Sequence, residues 1–151
     1  MTYVTSSAAP ADDCVFCSAL SLGDDRRALV LRRGTNAFLI LNAYPYASGH
    51  LMAVPTRHVG TLEEAQPDEL SECMLLVRLA VTALKATYRP DGFNVGLNQG
   101  RVAGAGVLGH VHIHVVPRWA GDVNFMPVIG DTKVLPETLD TSFERLAAAL
   151  A

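Results

Sequence analysis

The run His110-Val111-His112-Ile113-His114-Val115-Val116 alternates polar and apolar residues. On a β-strand, residues two apart point to the same face. The three imidazoles then line one side, while Val111, Ile113 and Val115 can bury on the other. At helical spacing the same residues would fan apart. The pattern predicts a strand over residues 110–116 whose polar face is kept for something other than core packing. Three of the chain's five histidines fall on that face. They follow a glycine-rich loop directly, so a strand exposed by accident explains them poorly.

The rest of the chain supplies a scaffold for such a strand. Residues 27–33, 36–42 and 49–55 are short apolar or alternating runs separated by turn residues, the pattern of an antiparallel meander. A long amphipathic helix should follow. Thr61 and Glu64 have the spacing of a capping box, and Pro67, Asp68 and Glu69 suit a first turn. Leu70, Met74, Val77, Val81, Leu84 and Tyr88 are spaced by threes and fours and predict its buried face. Pro90-Asp91-Gly92 should end it. A strand over 92–98, the histidine strand and a short terminal helix over 142–151 complete the order. Strands interrupted by a helix, without regular βαβ alternation, indicate an α+β domain.

The chain has 151 residues, half of them hydrophobic and 18% charged, which suits one domain with a sizeable core. Residues 1–12 read as a flexible leader and 13–151 as the domain. No stretch approaches the roughly 18 unbroken apolar residues of a membrane span, and the first residues lack the pattern of a signal peptide. A net charge of −3 gives no general attraction to nucleic acid or to an anionic membrane. Any phosphate must therefore be held by local donors. Three cysteines, an odd count without a signal peptide, argue for a reducing cytoplasm.

Neutral imidazole offers one lone pair near neutral pH, so the histidine strand is either a metal site or a nucleophilic site. The preceding loop holds Gly100, Gly104, Gly106 and Gly109. Its backbone N–H groups can converge on an anion, for which phosphate is the obvious candidate.

These residues resemble the signature of the histidine triad (HIT) family, His-φ-His-φ-His-φ-φ with φ apolar. The resemblance covers most of the chain. Cys14-Val15-Phe16-Cys17 looks like the family's entry segment. Residues 38–42 and 49–55 look like its nucleoside-binding strands, and residues 94–100 with the glycine loop look like its phosphate side. Residues 117–125, continuing to Thr132-Lys133-Val134, are similar to the branch with bacterial diadenosine tetraphosphate phosphorylases and their hydrolase relatives.

The resemblance implies a HIT-like fold, with five antiparallel strands per subunit, one long helix on the sheet and a short C-terminal helix. It implies a homodimer with a ten-stranded sheet. It also implies cleavage of a nucleoside phosphate bond. His112 would attack the α-phosphorus and carry a nucleotidyl intermediate, which water or inorganic phosphate then releases. His50 and His114 would contact the α-phosphate oxygens. Backbone N–H groups of Gly106 and Val107 would meet developing charge, and the Asn98 amide would meet phosphate. Asn42, eight residues before His50, takes the place of the ribose ligand. Val15, Phe16 and Leu41 are candidates for the base slot, although core packing competes for all three.

Many members carry a hydroxyl where this chain has Val107. Its loss favours a substrate with a good leaving group, a dinucleoside polyphosphate, over a nucleoside phosphoramidate. Phosphoramidase activity and non-catalytic nucleotide binding are the alternatives. The pair Cys14-x-x-Cys17 is by itself ambiguous between redox, metal-binding and incidental roles. The βαβ context of a redox motif is absent, and a structural zinc needs four ligands. Resemblance to some bacterial members supplies the other two, so that Cys14, Cys17, His58 and His110 would bind Zn²⁺. Cys73, among apolar helix residues, reads as core.

Overall fold

Residues that alternate between two apolar layers make the central strands. In the computed structural model, which describes residues 11–151, β2 (Ala37–Leu41) and β3 (Leu51–Pro55) are buried at every position. Ala37, Leu39, Leu41, Leu51 and Ala53 point to one face, into a core completed by two helices. Phe38, Ile40, Met52 and Val54 point to the other, where they meet the N-terminal segment. A strand buried on both sides reads as a continuous apolar run, as these two do.

The sheet has five strands in the order β1-β2-β3-β5-β4, and each neighbouring pair is antiparallel. Here β1 is Val30–Arg33, β4 is Gly92–Gly96 and β5 is Ile113–Arg118. The histidine strand β5 lies between β3 and the edge strand β4. The helices are α1 (Val15–Ser21), α2 (Asp25–Ala28), α3 (Pro67–Tyr88), α4 (Met126–Ile129) and α5 (Leu139–Leu150). Helices α3 and α5 cover one face, and α1 covers part of the other.

Several boundaries depart from the sequence expectation. The run over 27–33 begins with the last two residues of α2, Arg27 and Ala28, and β1 takes only Val30–Arg33. Asp24 caps α2 by accepting from the Arg27 N–H, and Leu29 then turns the chain with a φ of 61°. The capping box of α3 is made by Gln66 and Glu69, five residues beyond Thr61. The buried stripe of α3 is rotated from the expected one. Cys73, Leu76, Val77, Ala80, Ala83 and Leu84 face the core, whereas Met74 is 56% exposed. Small residues at 73, 80 and 83 let the helix approach the sheet closely, and an apolar stripe of large side chains overlooks them. Strand β5 starts at Ile113, three residues later than expected, because the Val111 N–H donates to the Val59 carbonyl and not to the sheet. The terminal helix starts earlier than residue 142, capped by Thr138. Most of the leader placed over 1–12 lies outside the described residues.

Candidate active site

The eight-residue separation of Asn42 and His50 is the length of one hairpin loop. Leu41 and Leu51 are the last paired residues of β2 and β3, so Asn42 and His50 come next and face each other. The Asn42 N–H donates to the His50 carbonyl at 2.9 Å. Gly49 closes the loop with a φ of 80°, and a Cβ there would lie 2.8 Å from Leu84 Cδ2. Both facts require glycine.

His50 is fully buried. Its Nδ1 accepts from the Tyr46 backbone N–H at 3.0 Å, so in the neutral ring the proton sits on Nε2. Nε2 in turn donates to His114 Nδ1 at 2.9 Å. His114 is thereby left with an Nε2–H donor that this pair does not use. Burial, reinforced by charge on His114, Lys133 and His112, pushes His50 down to about 3. Burial and charge on His112 push His114 down to about 4. The pair is therefore neutral at physiological pH. The Asn42 amide nitrogen lies 3.3 Å from His50 Nδ1, and its oxygen accepts from the Tyr44 N–H at 2.9 Å.

His112 has the opposite tautomer. Its Nδ1–H donates to the His110 carbonyl at 2.9 Å, which leaves the lone pair on Nε2. Burial holds its pKa below the ordinary histidine value despite this bond. The Phe16 ring lies 5.1 Å from the His112 ring and 5.4 Å from the His110 ring. The arrangement thus offers a neutral nucleophile at His112 Nε2 beside a donor at His114 Nε2.

His112 and His114 open on a cavity of about 660 Å³. Val15, Phe16, Leu41, Asn42, Gly106 and Val107 also line it. Of the sequence candidates near the triad, Asn98 and His50 do not line this cavity; His50 lies fully buried behind His114. The Asn98 side chain donates to the Gly104 carbonyl at 3.4 Å and borders a second cavity beyond His114. Leu41 touches the first cavity, yet its side chain belongs to the core under α3. Ile40 and Met52, missed in the sequence, supply apolar wall on the histidine side. Strand parity carried the signal: Phe38, Ile40 and Asn42 share a face, so the choice of Asn42 selects Ile40 over Leu41. Tyr46 was missed too; it orients His50 and its ring stacks on His114 at 5.8 Å.

Cys14, Cys17, His58 and His110 converge on the other side of Phe16. Their ligand atoms all lie within 4.8 Å of one another. Cys14 Sγ is 3.3 Å from His110 Nδ1, and Cys17 Sγ is 3.4 Å from His58 Nδ1. A tetrahedral zinc with two sulfur and two nitrogen ligands has edges of about 3.4–3.8 Å, so these donors fit a metal ion with little movement. The His110 Nε2–H donates to the Pro55 carbonyl at 2.8 Å, which turns the Nδ1 lone pair toward the sulfurs. A backbone acceptor of this kind commonly orients a ligating histidine. Burial and the neighbouring Cys14 raise the Cys17 thiol to about 11 when no cation is present. No other cluster of this kind occurs among the described residues.

The HIT domain profile matches residues 26–121. The chain belongs to the HIT domain family. This HIT protein is 44% identical over 146 residues to an AP-4-A phosphorylase of Mycobacterium tuberculosis, covering 97% of its own length and 73% of that relative. It is 35% identical over 109 residues to an uncharacterized HIT-like protein of Methanocaldococcus jannaschii, covering 72% and 81% of the two chains. Among solved structures it resembles a Zn-bound histidine triad protein of Mycobacterium smegmatis, with a TM-score of 0.75 and 25% identity over 93% of this chain and 95% of that one.

Proposed function

We propose that this HIT protein cleaves dinucleoside polyphosphates, diadenosine tetraphosphate foremost, by phosphorolysis through a nucleotidyl group carried on His112. The observation that carries the reading is the fixed tautomer of His112, whose free lone pair belongs to a ring lining a nucleoside-sized cavity. The 44% identity to an AP-4-A phosphorylase over nearly the whole chain supports the same substrate class.

One nucleoside lies against Phe16, Ile40, Met52 and Val15, with its ribose on Asn42. His112 Nε2 attacks the α-phosphorus, and the bond to the bridging oxygen breaks, releasing a nucleoside polyphosphate. The His110 carbonyl stabilises the developing charge on the imidazole through Nδ1–H. His114 Nε2–H donates to an α-phosphate oxygen, with its orientation fixed by His50, and the Gly106 and Val107 N–H groups add to that stabilisation. Covalent catalysis splits one hard displacement into two easier ones. Inorganic phosphate then attacks the same phosphorus, breaks the P–N bond and returns the electron pair to Nε2. A polyphosphate leaving group departs readily, which agrees with an apolar Val107 where a hydroxyl would otherwise assist. Assaying diadenosine tetraphosphate with and without phosphate tests the reading. ADP and ATP together, formed only with phosphate present, is the expected result, whereas AMP and ATP regardless of phosphate would mean hydrolysis.

The Cys14–Cys17–His58–His110 cluster is best read as a structural zinc site. When bound, the ion ties the α1 segment to the residue that orients His112, and it keeps His110 out of the chemistry. The thiolate ligands suit a reducing cytoplasm. The protein is also best read as a homodimer. Among the described residues, strand β4 has β5 on one side and no strand on the other, and Val95 on it is 43% exposed. Pairing of β4 with its copy would extend five strands to ten. A mass measured by light scattering at twice that of the chain would support this, and a monomer mass would refute it.

A further inference from the structure

A second cavity, of about 950 Å³, lies beyond His114 and Tyr46, which border both cavities. It holds three cationic side chains, Arg118, Lys133 and Arg145. Two are already committed to carboxylates. Arg118 pairs with Asp122 at 2.6 Å and Arg145 with Glu137 at 2.8 Å. Lys133 has no carboxylate partner among the described residues. Its Nζ donates to the Pro45 carbonyl at 3.2 Å and lies 5.4 Å from the centre of the Tyr46 ring. That same ring packs on His50 at 4.5 Å and on His114 at 5.8 Å. The ammonium therefore sits one aromatic ring away from the phosphate-contacting histidine pair. Its charge is among the influences that keep His50 neutral.

Double displacement at one phosphorus constrains where the reactants go. The leaving phosphate departs on the side away from His112 Nε2, and the attacking phosphate must arrive on that side too. The acceptor thus takes the place of the leaving group. The first cavity is taken by the retained nucleoside, so the second is the space open to both.

We propose that Lys133 is the phosphate ligand of this second cavity, holding first the departing polyphosphate and then the inorganic phosphate that replaces it. This rests on the phosphorolysis reading above. Lys133 would then set the choice of acceptor. An ammonium concentrates phosphate beside the P–N bond, whereas without it water competes. Attack by phosphate forms a P–O bond and yields ADP; attack by water yields AMP. Both return the P–N electron pair to His112.

The test uses Lys133→Met and Lys133→Arg beside the wild type, with diadenosine tetraphosphate and a series of phosphate concentrations. The readouts are the KM for phosphate, the ratio of AMP to ADP and adduct formation without phosphate. Lys133→Met should raise the KM for phosphate about tenfold or more, the loss expected for a charge-assisted bond, and should shift product from ADP to AMP. It should adenylylate His112 more slowly than wild type, because the departing polyphosphate loses the same ligand, and should keep the wild-type melting temperature. Lys133→Arg should recover most of the phosphate dependence. A Lys133→Met enzyme with unchanged KM and product ratio would overturn the assignment of Lys133 while leaving phosphorolysis intact. A wild type that makes no ADP with phosphate present would overturn the phosphorolysis reading and this one with it.

Discussion

The structural zinc proposed for the Cys14–Cys17–His58–His110 cluster predicts that taking the metal away loosens the fold at its N-terminal segment. A ligand that binds the folded chain alone stabilises it by about 4 kcal/mol when its free concentration is a thousand times Kd. For a domain of this size each kcal/mol moves the melting temperature by roughly 2–4 °C, so full removal should lower it by roughly 8–16 °C. The cluster gives that loss a definite location. Cys14 is 1% exposed and packs in the same group as Phe16, Phe38 and Met52. Its release would free α1 and open the wall of the nucleoside cavity, so the KM for substrate should rise before the turnover rate falls. The assay is metal content by mass spectrometry together with thermal melts with and without a strong chelator. Wild type should carry one zinc per chain, and Cys17→Ser should carry little. Cys73→Ala should keep its zinc, since Cys73 lies under α3, where burial pushes its thiol up to about 12. A metal-free wild type whose melting temperature does not respond to zinc or chelator would refute the reasoning.

Two further perturbations test the histidine pair and the turn that places it. In the unfolded chain histidine titrates near 6.5, whereas the fold holds His50 at about 3 and His114 at about 4. The unfolded state then binds protons first as the pH falls. Stability should be retained above 6.5 and decline between roughly 6.5 and 4, by at most about 1.4 kcal/mol per pH unit for each group, as chemical denaturation at stepped pH would show. A pH-independent midpoint across that range would contradict it. Gly49→Ala meets both a positive φ and a 2.8 Å contact with Leu84. It should cost roughly 1–3 kcal/mol in denaturant titration and misplace His50, and a variant as stable and active as wild type would show the turn to be pliable.

Much of this was legible in the sequence, for identifiable reasons. The alternation in residues 110–116 pointed to the candidate site because a period of two fits a strand, and residues 113–116 do lie in β5. The spacing from Asn42 to His50 was informative because it equals one hairpin loop. All four metal-site candidates converged, and the cavity gathered all the residues expected around the triad except Asn98 and His50, the latter buried behind His114. The rest depended on tertiary contacts. His110 and Val111 look like strand, yet the Val111 N–H pairs with the Val59 carbonyl of an irregular segment, and the His110 ring, not its backbone, bonds the Pro55 carbonyl at the end of β3. The face of α3 was read only in part: Val77 and Leu84 are buried and Val81 and Tyr88 pack on the core as expected, but Met74 is exposed, and the buried Cys73, Ala80 and Ala83 are small residues that a pattern weighted by side-chain size passes over. Leu41 was chosen over Ile40 because hydrophobicity alone does not say which face of a strand buried on both sides meets the ligand. Tyr46 and Lys133 act through a loop and a C-terminal segment, whose approach has no periodic signature.

The most direct measurement is the intact mass of the protein after mixing with diadenosine tetraphosphate in phosphate-free buffer. Wild type should gain one adenylyl group on His112, located by peptide fragmentation. Added phosphate should then remove it as ADP, and His112→Ala should gain nothing. An adduct on another residue, or full turnover by His112→Ala, would contradict nucleophilic attack by the middle histidine.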